Sequence, residues 1–533
     1  MKKPLPWSPL CALLIGATLA ACSTAPAPTD ALAADGDTLT AFVYGRIEAI
    51  AAALPAVEAR GDTIDLIDFA GRQPDFEGTF DFKPAYDRAL AEVTRRGGGV
   101  IYLRHTAGRS AWIKETQRYR FAGPMNLADN LTILFDPGVM LMFDTARANY
   151  LGPDGRGVLT RYEGTTIYGY SPLIRGYRVE NVALRALEGY GAPPVIWGQG
   201  EVWQRWASTT DAQRKAAGRT PDYIRLREDN NRKTPLAERR YDDLIARPDM
   251  VQFFMCRNVV MEGLTLRESP FWVVHTLFSE NLLFRGLTYD AHVVNNDGID
   301  VESSRNVLIE DVMFNNHDDN VVIKAGRDQE GMFGIDVTGS ELEGVESPYI
   351  KDNLLMGRTE NVGVRNCVFH GHHAVAIGSE MSGGVRGIYV ANCFSPQYVY
   401  MGLYLKGSRK RGGEVSDVYM VDCQFNKLRA DLVAVIPNYD GDTSSAYPSA
   451  FHDVYVHNVT AREAQNGVRA LGWADRPIEN VMISDVKIDR VRDAPYAVEQ
   501  SRNVRFERVS IGGKTLTEQF DRLDADYVPP TTK

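Results

Sequence analysis

The sequence predicts an all-β solenoid, a coil of short strands stacked on one another. Two observations predict it: a short asparagine-led motif that recurs along the chain, and its longer period of about 20–30 residues. The motif runs Glu180-Asn181-Val182-Ala183-Leu184, Arg257-Asn258-Val259-Val260-Met261, Glu280-Asn281-Leu282-Leu283-Phe284 and Arg305-Asn306-Val307-Leu308-Ile309. It returns at Glu360-Asn361-Val362, Asp417-Val418-Tyr419, Asp453-Val454-Tyr455, Glu479-Asn480-Val481 and Arg502-Asn503-Val504. One coil cannot bury its apolar face alone, so the coils must stack. Asparagine at the repeated turn suits a left-handed backbone and a ladder of side chains. A β-sandwich needs no such regular motif. Leucine-rich repeats would place helical stretches between the strands, and those are missing.

At the N-terminus, Lys2 and Lys3 precede an apolar run from Leu10 to Ala21, too short to span a bilayer as a mature helix. It ends in Leu19-Ala20-Ala21-Cys22, which resembles the lipobox of bacterial lipoproteins. The resemblance implies cleavage before Cys22, lipidation of its thiol and, with Ser23 next, export to the outer membrane, on its periplasmic or surface face. An ordinary secretory signal with an incidental cysteine is the plainer alternative. The expected organisation is a signal peptide over 1–21, a flexible tether over 22–40, a solenoid domain over 41–515 and a C-terminal tail over 516–533.

Apolar residues at helical spacing (Phe42, Ile47, Ile50, Ala53, Leu54) predict a short helix within Thr40–Arg60, expected to cap the N-terminal end of the solenoid and hide its strand edges. A second amphipathic stretch, Lys83–Arg96, leads through Gly97-Gly98-Gly99 into the strand Val100-Ile101-Tyr102-Leu103. Two stretches break the repeat, near 201–247 and 327–358. Inserts in a solenoid map to loops on one face, often the binding face.

The 533 residues carry a formal net charge of -10, which argues against a nucleic-acid partner. Cys11 and Cys22 belong to the export segment. Cys256, Cys367, Cys393 and Cys423 lack metal-ligand spacing, and three share a local frame: Asn366-Cys367, Asn392-Cys393 and Asp422-Cys423. They read as a buried column rather than as disulfides. No cofactor and no metal is expected, and a capped solenoid can work as a monomer.

The chemistry lies in the acidic residues. One coil carries Asn295-Asn296-Asp297-Gly298-Ile299-Asp300 and the next carries His317-Asp318-Asp319-Asn320-Val321-Val322-Ile323-Lys324. Asp297 and Asp318 are 21 positions apart (318 − 297), close to one coil, which stacks them on one face. Packed carboxylates raise each other's proton affinity, and glycoside hydrolysis uses that split: one carboxylic acid protonates the leaving oxygen while another carboxylate is base or nucleophile. A calcium site or solvated turn aspartates are the bland alternatives.

Here the chain resembles a known family, the polygalacturonases and their relatives, family 28 of the glycoside hydrolases. Its Asn-Thr-Asp, Gly-Asp-Asp, Gly-His-Gly and Arg-Ile-Lys motifs are matched in order by Asn295-Asn296-Asp297, His317-Asp318-Asp319, Gly371-His372-His373 and Tyr404-Leu405-Lys406. Gly198-Gln199-Gly200-Glu201, Arg247-Pro248, Ser269-Pro270-Phe271-Trp272, Ile377-Gly378-Ser379-Glu380-Met381-Ser382 and Arg411-Gly412-Gly413 match the family's usual surroundings. The resemblance runs from about Asp68 to about Val509. It implies a single-stranded right-handed parallel β-helix and an inverting hydrolysis of pectic polysaccharide. It implies Asp318 as the general acid, with Asp297 and Asp319 holding and deprotonating the water. An inverting acid and base stand roughly 6.5–9.5 Å apart. His372, or His373 if the motif is aligned one residue later, would tune the acid, and Lys406 would pair with a uronate carboxylate as a point charge.

Tyr404 departs from the family's arginine. It can stack on a sugar or make one hydrogen bond but cannot form a bidentate clamp, which opens a neutral sugar such as rhamnose as an option. Lys324, Arg327, Arg409, Lys410 and Arg411 offer other positive charge, with Arg327 the candidate substrate contact. The 327–358 insert follows the catalytic coil and is the candidate wall for exo action. A pectin-type polysaccharide lyase and a non-catalytic carbohydrate-binding solenoid are the rival readings.

Overall fold

The computed structural model describes residues 36–108, 116–219, 222–241 and 245–532. The lipobox with Cys22, and most of the expected tether, lie outside the described residues. The remainder is a right-handed parallel β-helix with three faces. A 14-stranded sheet runs the length of the molecule, an 11-stranded sheet forms the second face, and five- and six-stranded sheets share the third.

The repeat motif builds the long sheet. Val182, Val259, Leu282, Val307, Val362, Ile388, Val418, Val454, Val481 and Val504 pair each with the next in parallel register. All are buried, so one aliphatic column fills the interior from coil to coil. Each such side chain contributes roughly 1.5–3 kcal/mol of burial. The motif asparagines Asn181, Asn258, Asn281, Asn306 and Asn361 hold φ between 55° and 59°, the left-handed turn that asparagine tolerates. Each donates its side-chain amide to the asparagine one coil back, beginning with Asn181 to Asn130 at 2.9 Å. Cys256, Cys367, Cys393 and Cys423 are buried free thiols.

The first helix is not the cap. Helix α1 (Gly36–Ala53) lies across the outer face of the long sheet, on the strands Arg305–Glu310, Thr359–Arg365, Val385–Ala391, Glu414–Val421 and Ala450–His457. Its buried face of Leu39, Val43, Ile47 and Ile50 packs on Leu308, Tyr389, Tyr419, Tyr455 and Met482. Those are the outward positions of the repeat, and three of them form a tyrosine stack with centroids 5.4 and 4.9 Å apart. Helical spacing shows that a face is buried but not what covers it. Helix α2 (Lys83–Arg95) takes the capping place, setting Ala85, Tyr86, Ala89 and Val93 into the same core as Ile101 and Leu131.

The two inserts meet. Helix α3 (Gly200–Ala216) buries Trp203 against Tyr150 and Tyr170. Helix α4 (Asp222–Asn231) packs on α5 (Asp328–Phe333), and three short antiparallel strands follow within 335–355. A hairpin, Val158–Tyr162 with Thr165–Gly169, joins them through Glu330, which accepts from the Thr166 amide at 3.1 Å and pairs with Arg239 at 2.6 Å.

Residues expected as a C-terminal tail are instead built in. Gln519–Arg522 pairs antiparallel with Ser501–Glu507, and Phe520 packs on Phe506 and Tyr496, closing the last coil. Residues 524–532 then run back over the 11-stranded sheet. Gln500 and Asp524 are hydrogen-bonded at the start of this course, and Thr532 lies at its end.

Candidate active site

The carboxylates sit just before the strands Ile299–Glu302 and Val321–Lys324 of the 11-stranded sheet. Ile299 pairs with Val321, an offset of 22 (321 − 299), so Asp297 is level with Asp319 and not with Asp318. The next coil pairs Val321 with Val375, an offset of 54 (375 − 321), which sets His373 level with Asp319 and His372 level with Asp318. The turn is held tightly. Asn295 has φ 64° and accepts from Arg247 Nη2 at 2.7 Å, while Asn296 donates to the carbonyls of Ser269 and Phe271 at 2.8 and 2.7 Å. A Cβ on Gly298 would lie 2.3 Å from the Asn320 carbonyl oxygen, so this close approach of two coils requires glycine.

The structure brings Asp297, Asp318, Asp319, His372, His373 and Lys406 together. Each aspartate offers an oxygen within 4.8 Å of the others, and Asp319 has the same relation to both histidines. Asp319 is the hub. One oxygen meets His372 Nδ1 at 2.9 Å and His373 Nδ1, and the other accepts from Lys406 Nζ at 2.8 Å. Burial works against its charge, yet Lys406 and the histidines hold its carboxyl well below the usual carboxylate range. The reverse holds for Asp297, where burial, then the charges of Asp318 and Asp300, push the carboxyl well above it. Asp318 is the most exposed of the three aspartates, with 27% of its side chain exposed against 7% for Asp297 and 2% for Asp319.

His372 is half exposed and stacks on Tyr400 at 5.3 Å. Its Nδ1 is 3.4 Å from Asp318 Oδ1, so it bridges the two adjacent aspartates. Burial lowers its proton affinity, but the hydrogen bond and charge of Asp319 raise it to a net upward shift. His373 is buried, and burial leaves its own shift downward. These oxygens and ring nitrogens are close enough to hold a cation, but Lys406 and the histidines already compensate Asp319.

The other expected contacts are placed differently. Lys406 is spent on Asp319 and has ring centroids of Tyr404 and Tyr439 5.5 Å away on either count. Tyr404 is buried, packs on His373 at 4.9 Å and hydrogen-bonds Thr532 Oγ1 at 2.6 Å. Arg327 is tied into the wall, with Nη1 3.3 Å from Glu163 and 3.5 Å from Glu380. Arg411 is buried against Asp328 and the Ser379 carbonyl, Arg409 pairs with Asp475, and Lys410 pairs with Asp440.

Lys324 joins the acidic cluster from the other side. Its Nζ lies 3.8 Å from Asp297, 3.3 Å from Asp300 and 3.4 Å from Glu380, over the Trp272 ring at 3.8 Å. Asp300 and Glu380 were not singled out by sequence reasoning. Burial pushes Asp300 up to about 7, with Lys324 and His275 pulling back. The signal for Asp300 was a charged residue at the outward position of an otherwise apolar strand: Asp300 and Glu302 on one coil, and Lys324 beside Glu302 on the next.

A model of the family described as glycosyl hydrolases family 28 matches residues 237–505. A probable polygalacturonase from Vitis vinifera is 24% identical over 448 residues, covering 81% of this chain and 75% of the relative. An exo-poly-alpha-D-galacturonosidase from Dickeya chrysanthemi is 21% identical over 357 residues, covering 58% of this chain and 55% of the relative. Among solved structures, a hyperthermoactive exopolygalacturonase from Thermotoga maritima superposes with a TM-score of 0.75 at 27% identity, covering 90% of this chain and 98% of that one.

Proposed function

The chain belongs to the glycosyl hydrolases of family 28, and from that membership we propose that it is an exo-acting pectin hydrolase that removes sugar from the ends of galacturonan or rhamnogalacturonan oligomers. The observation that carries this reading is the acidic cluster on successive coils, compensated by Lys406, His372 and His373.

Asp318 is the general acid, because it is the most exposed of the three aspartates and so can reach the glycosidic oxygen. Asp297 and Asp319 hold and deprotonate the attacking water. The upward push on Asp297 fits a cluster that shares a proton: burial is its largest cause, and the part due to the charge of Asp318 is relieved when Asp318 carries the proton. His372 orients Asp318 and Asp319 together. Inversion is the stereochemical outcome we assign. Each aspartate offers an oxygen within 4.8 Å of the others, and a second reading, in which a carboxylate of this close group attacks the sugar directly, makes the opposite stereochemical prediction of retention. Proton NMR of the first-formed anomer separates the two.

Exo action is supported by the wall of hairpin, α4 and α5 beside the cluster, and by the two exo-acting relatives. The lipobox supports an outer-membrane lipoprotein anchored through Cys22. The test is to incubate purified protein with homogalacturonan, rhamnogalacturonan and capped oligomers, following reducing ends and product size. A single small product from the first turnovers is expected. A ladder of oligomers would overturn the exo assignment, and equal rates for wild type and Asp318→Asn would overturn the catalytic one.

A further inference from the structure

We infer that residues 524–532 form a fixed wall of the substrate groove, limiting how many sugars bind on the Lys406 side of the cleaved bond. The inference rests on the exo reading and names a structural part of it. The site residues follow one another along the stacking direction, from Asp297 through Asp319 and His373 to Lys406. A sugar chain touching several of them must lie along that direction, over the 11-stranded sheet. Beyond Lys406 the floor continues over the strands Asp431–Ile436, Asn466–Leu471 and Tyr496–Glu499. Its outward positions in register with Tyr404 are Ala434, Arg469 and Ala497, a low strip beside which a chain could lie.

That strip is already taken. Asp524 is held by Gln500 at 3.1 Å, and Tyr527 packs into the cluster of Tyr404, Ala434, Leu471 and Ala497. Asn438 donates to the Pro529 carbonyl, Thr531 Oγ1 donates to the Tyr439 carbonyl at 3.3 Å, and Thr532 meets the Tyr404 hydroxyl at 2.6 Å. The segment thus covers three strand spacings, about 14 Å of floor. It ends on the two tyrosines that flank Lys406. Pro529 and Pro530 stiffen it, and its partners lie on several coils, which suits a wall rather than a lid.

This also gives Tyr404 a job. Its hydroxyl is engaged by Thr532 and its ring supports His373, so it anchors the wall and is not a clamp for the substrate. The hairpin, α4 and α5 bound the groove from the opposite side, where Thr160 meets Gln252 at 3.0 Å and Arg161 meets Glu302 at 3.1 Å.

The test compares the full chain with one stopped after Leu523, which keeps the closing strand Gln519–Arg522. Both are checked by circular dichroism and melting, then given long polygalacturonan. The full chain is expected to release one small product. The shortened chain is expected to lose that single-product pattern, yielding oligomers early and a larger viscosity fall per reducing end. If the shortened chain folds and its product pattern is unchanged, the inference is wrong. If it only turns over faster with the same products, the segment is inhibitory and the inference is again wrong. Should the shortened chain fail to fold, the full-length double variant Tyr527→Ser/Thr532→Ala, which loosens the segment, carries the same comparison. A full chain that itself makes a ladder refutes the exo reading, separately from the wall.

Discussion

Lys406 Nζ donates to Asp319 Oδ2 at 2.8 Å, on the opposite side of that carboxylate from the two histidines. An expected partner of the substrate is thereby a partner of the machinery. Removing it leaves a buried carboxylate short of positive charge. Lys406→Met is expected to lower kcat about 100-fold or more. Its effect on pH has a definite sign. Lys406 helps hold the Asp319 pKa down, and activity that needs ionised Asp319 is present above that pKa and lost as pH falls through it. The acid limb of the pH–rate profile should therefore move to higher pH in the variant. An unmoved acid limb would mean that ionised Asp319 is not needed.

Asp318→Asn is expected to lower hydrolysis about a thousandfold, the size of an effect carried by general acid catalysis. Its melting temperature should hold or rise, since the substitution removes a charge that burdens buried Asp297. Reducing-end assays beside a thermal melt check both. A large fall in melting temperature would turn the lost activity into a folding defect.

Lys324 faces three carboxylates and one indole. Lys324→Met leaves Asp300 and Glu380 buried with less compensation and should cost about 3–5 kcal/mol. Urea unfolding monitored by fluorescence measures it. A loss under 1 kcal/mol would show that the buried acids simply take up protons.

His275 lies fully buried between Asp249 at 2.8 Å and Glu302 at 2.9 Å. Burial lowers its proton affinity, but the two carboxylates override it and raise its pKa to about 9. The folded value lies above the unfolded value of about 6.5. Its contribution to stability is therefore fully present below about 6.5 and is lost as pH rises through about 9. The gap in melting temperature between wild type and His275→Gln should be widest below that window and narrow across it. A pH-independent gap would rule the linkage out.

Gly298→Ala places a methyl against the Asn320 carbonyl and the Phe314 ring, between Asp297 and Asp300. Overpacking of this kind costs typically about 1–3 kcal/mol. Activity should fall further than stability, because the turn that places Asp297 has to shift. Equal activity at full folding would show that the turn tolerates the displacement.

Much of this molecule was legible in the chain. The recurring asparagine marks a left-handed turn and the alternation after it marks an inward column, so the long sheet followed from residue types alone. The site was legible in two ways: Asp297 and Asp318-Asp319 stand about one coil apart, and His372 and Lys406 came from the ordered motifs of the family the chain resembles. Register was not. A count of 21 suggested Asp297 over Asp318, but this coil spans 22 residues (321 − 299), and the ladder sets Asp297 level with Asp319. Partners distant in sequence were also invisible. Tyr404 and Thr532 are 128 residues apart, and no local pattern announces their hydrogen bond. The same holds for α1, whose amphipathic face fits any apolar surface.

The position of α1 has a mechanical meaning. A solenoid whose coils touch only their neighbours can fray one coil at a time from either end. A helix laid across five strands, from Arg305–Glu310 to Ala450–His457, ties those coils into one cooperative block. The residues from Asp318 to Lys406 lie within that span, so opening any one of their coils means peeling the helix away first. The reacting geometry is thus kept stiff from the flank opposite the interior, by a segment that touches none of the carboxylates.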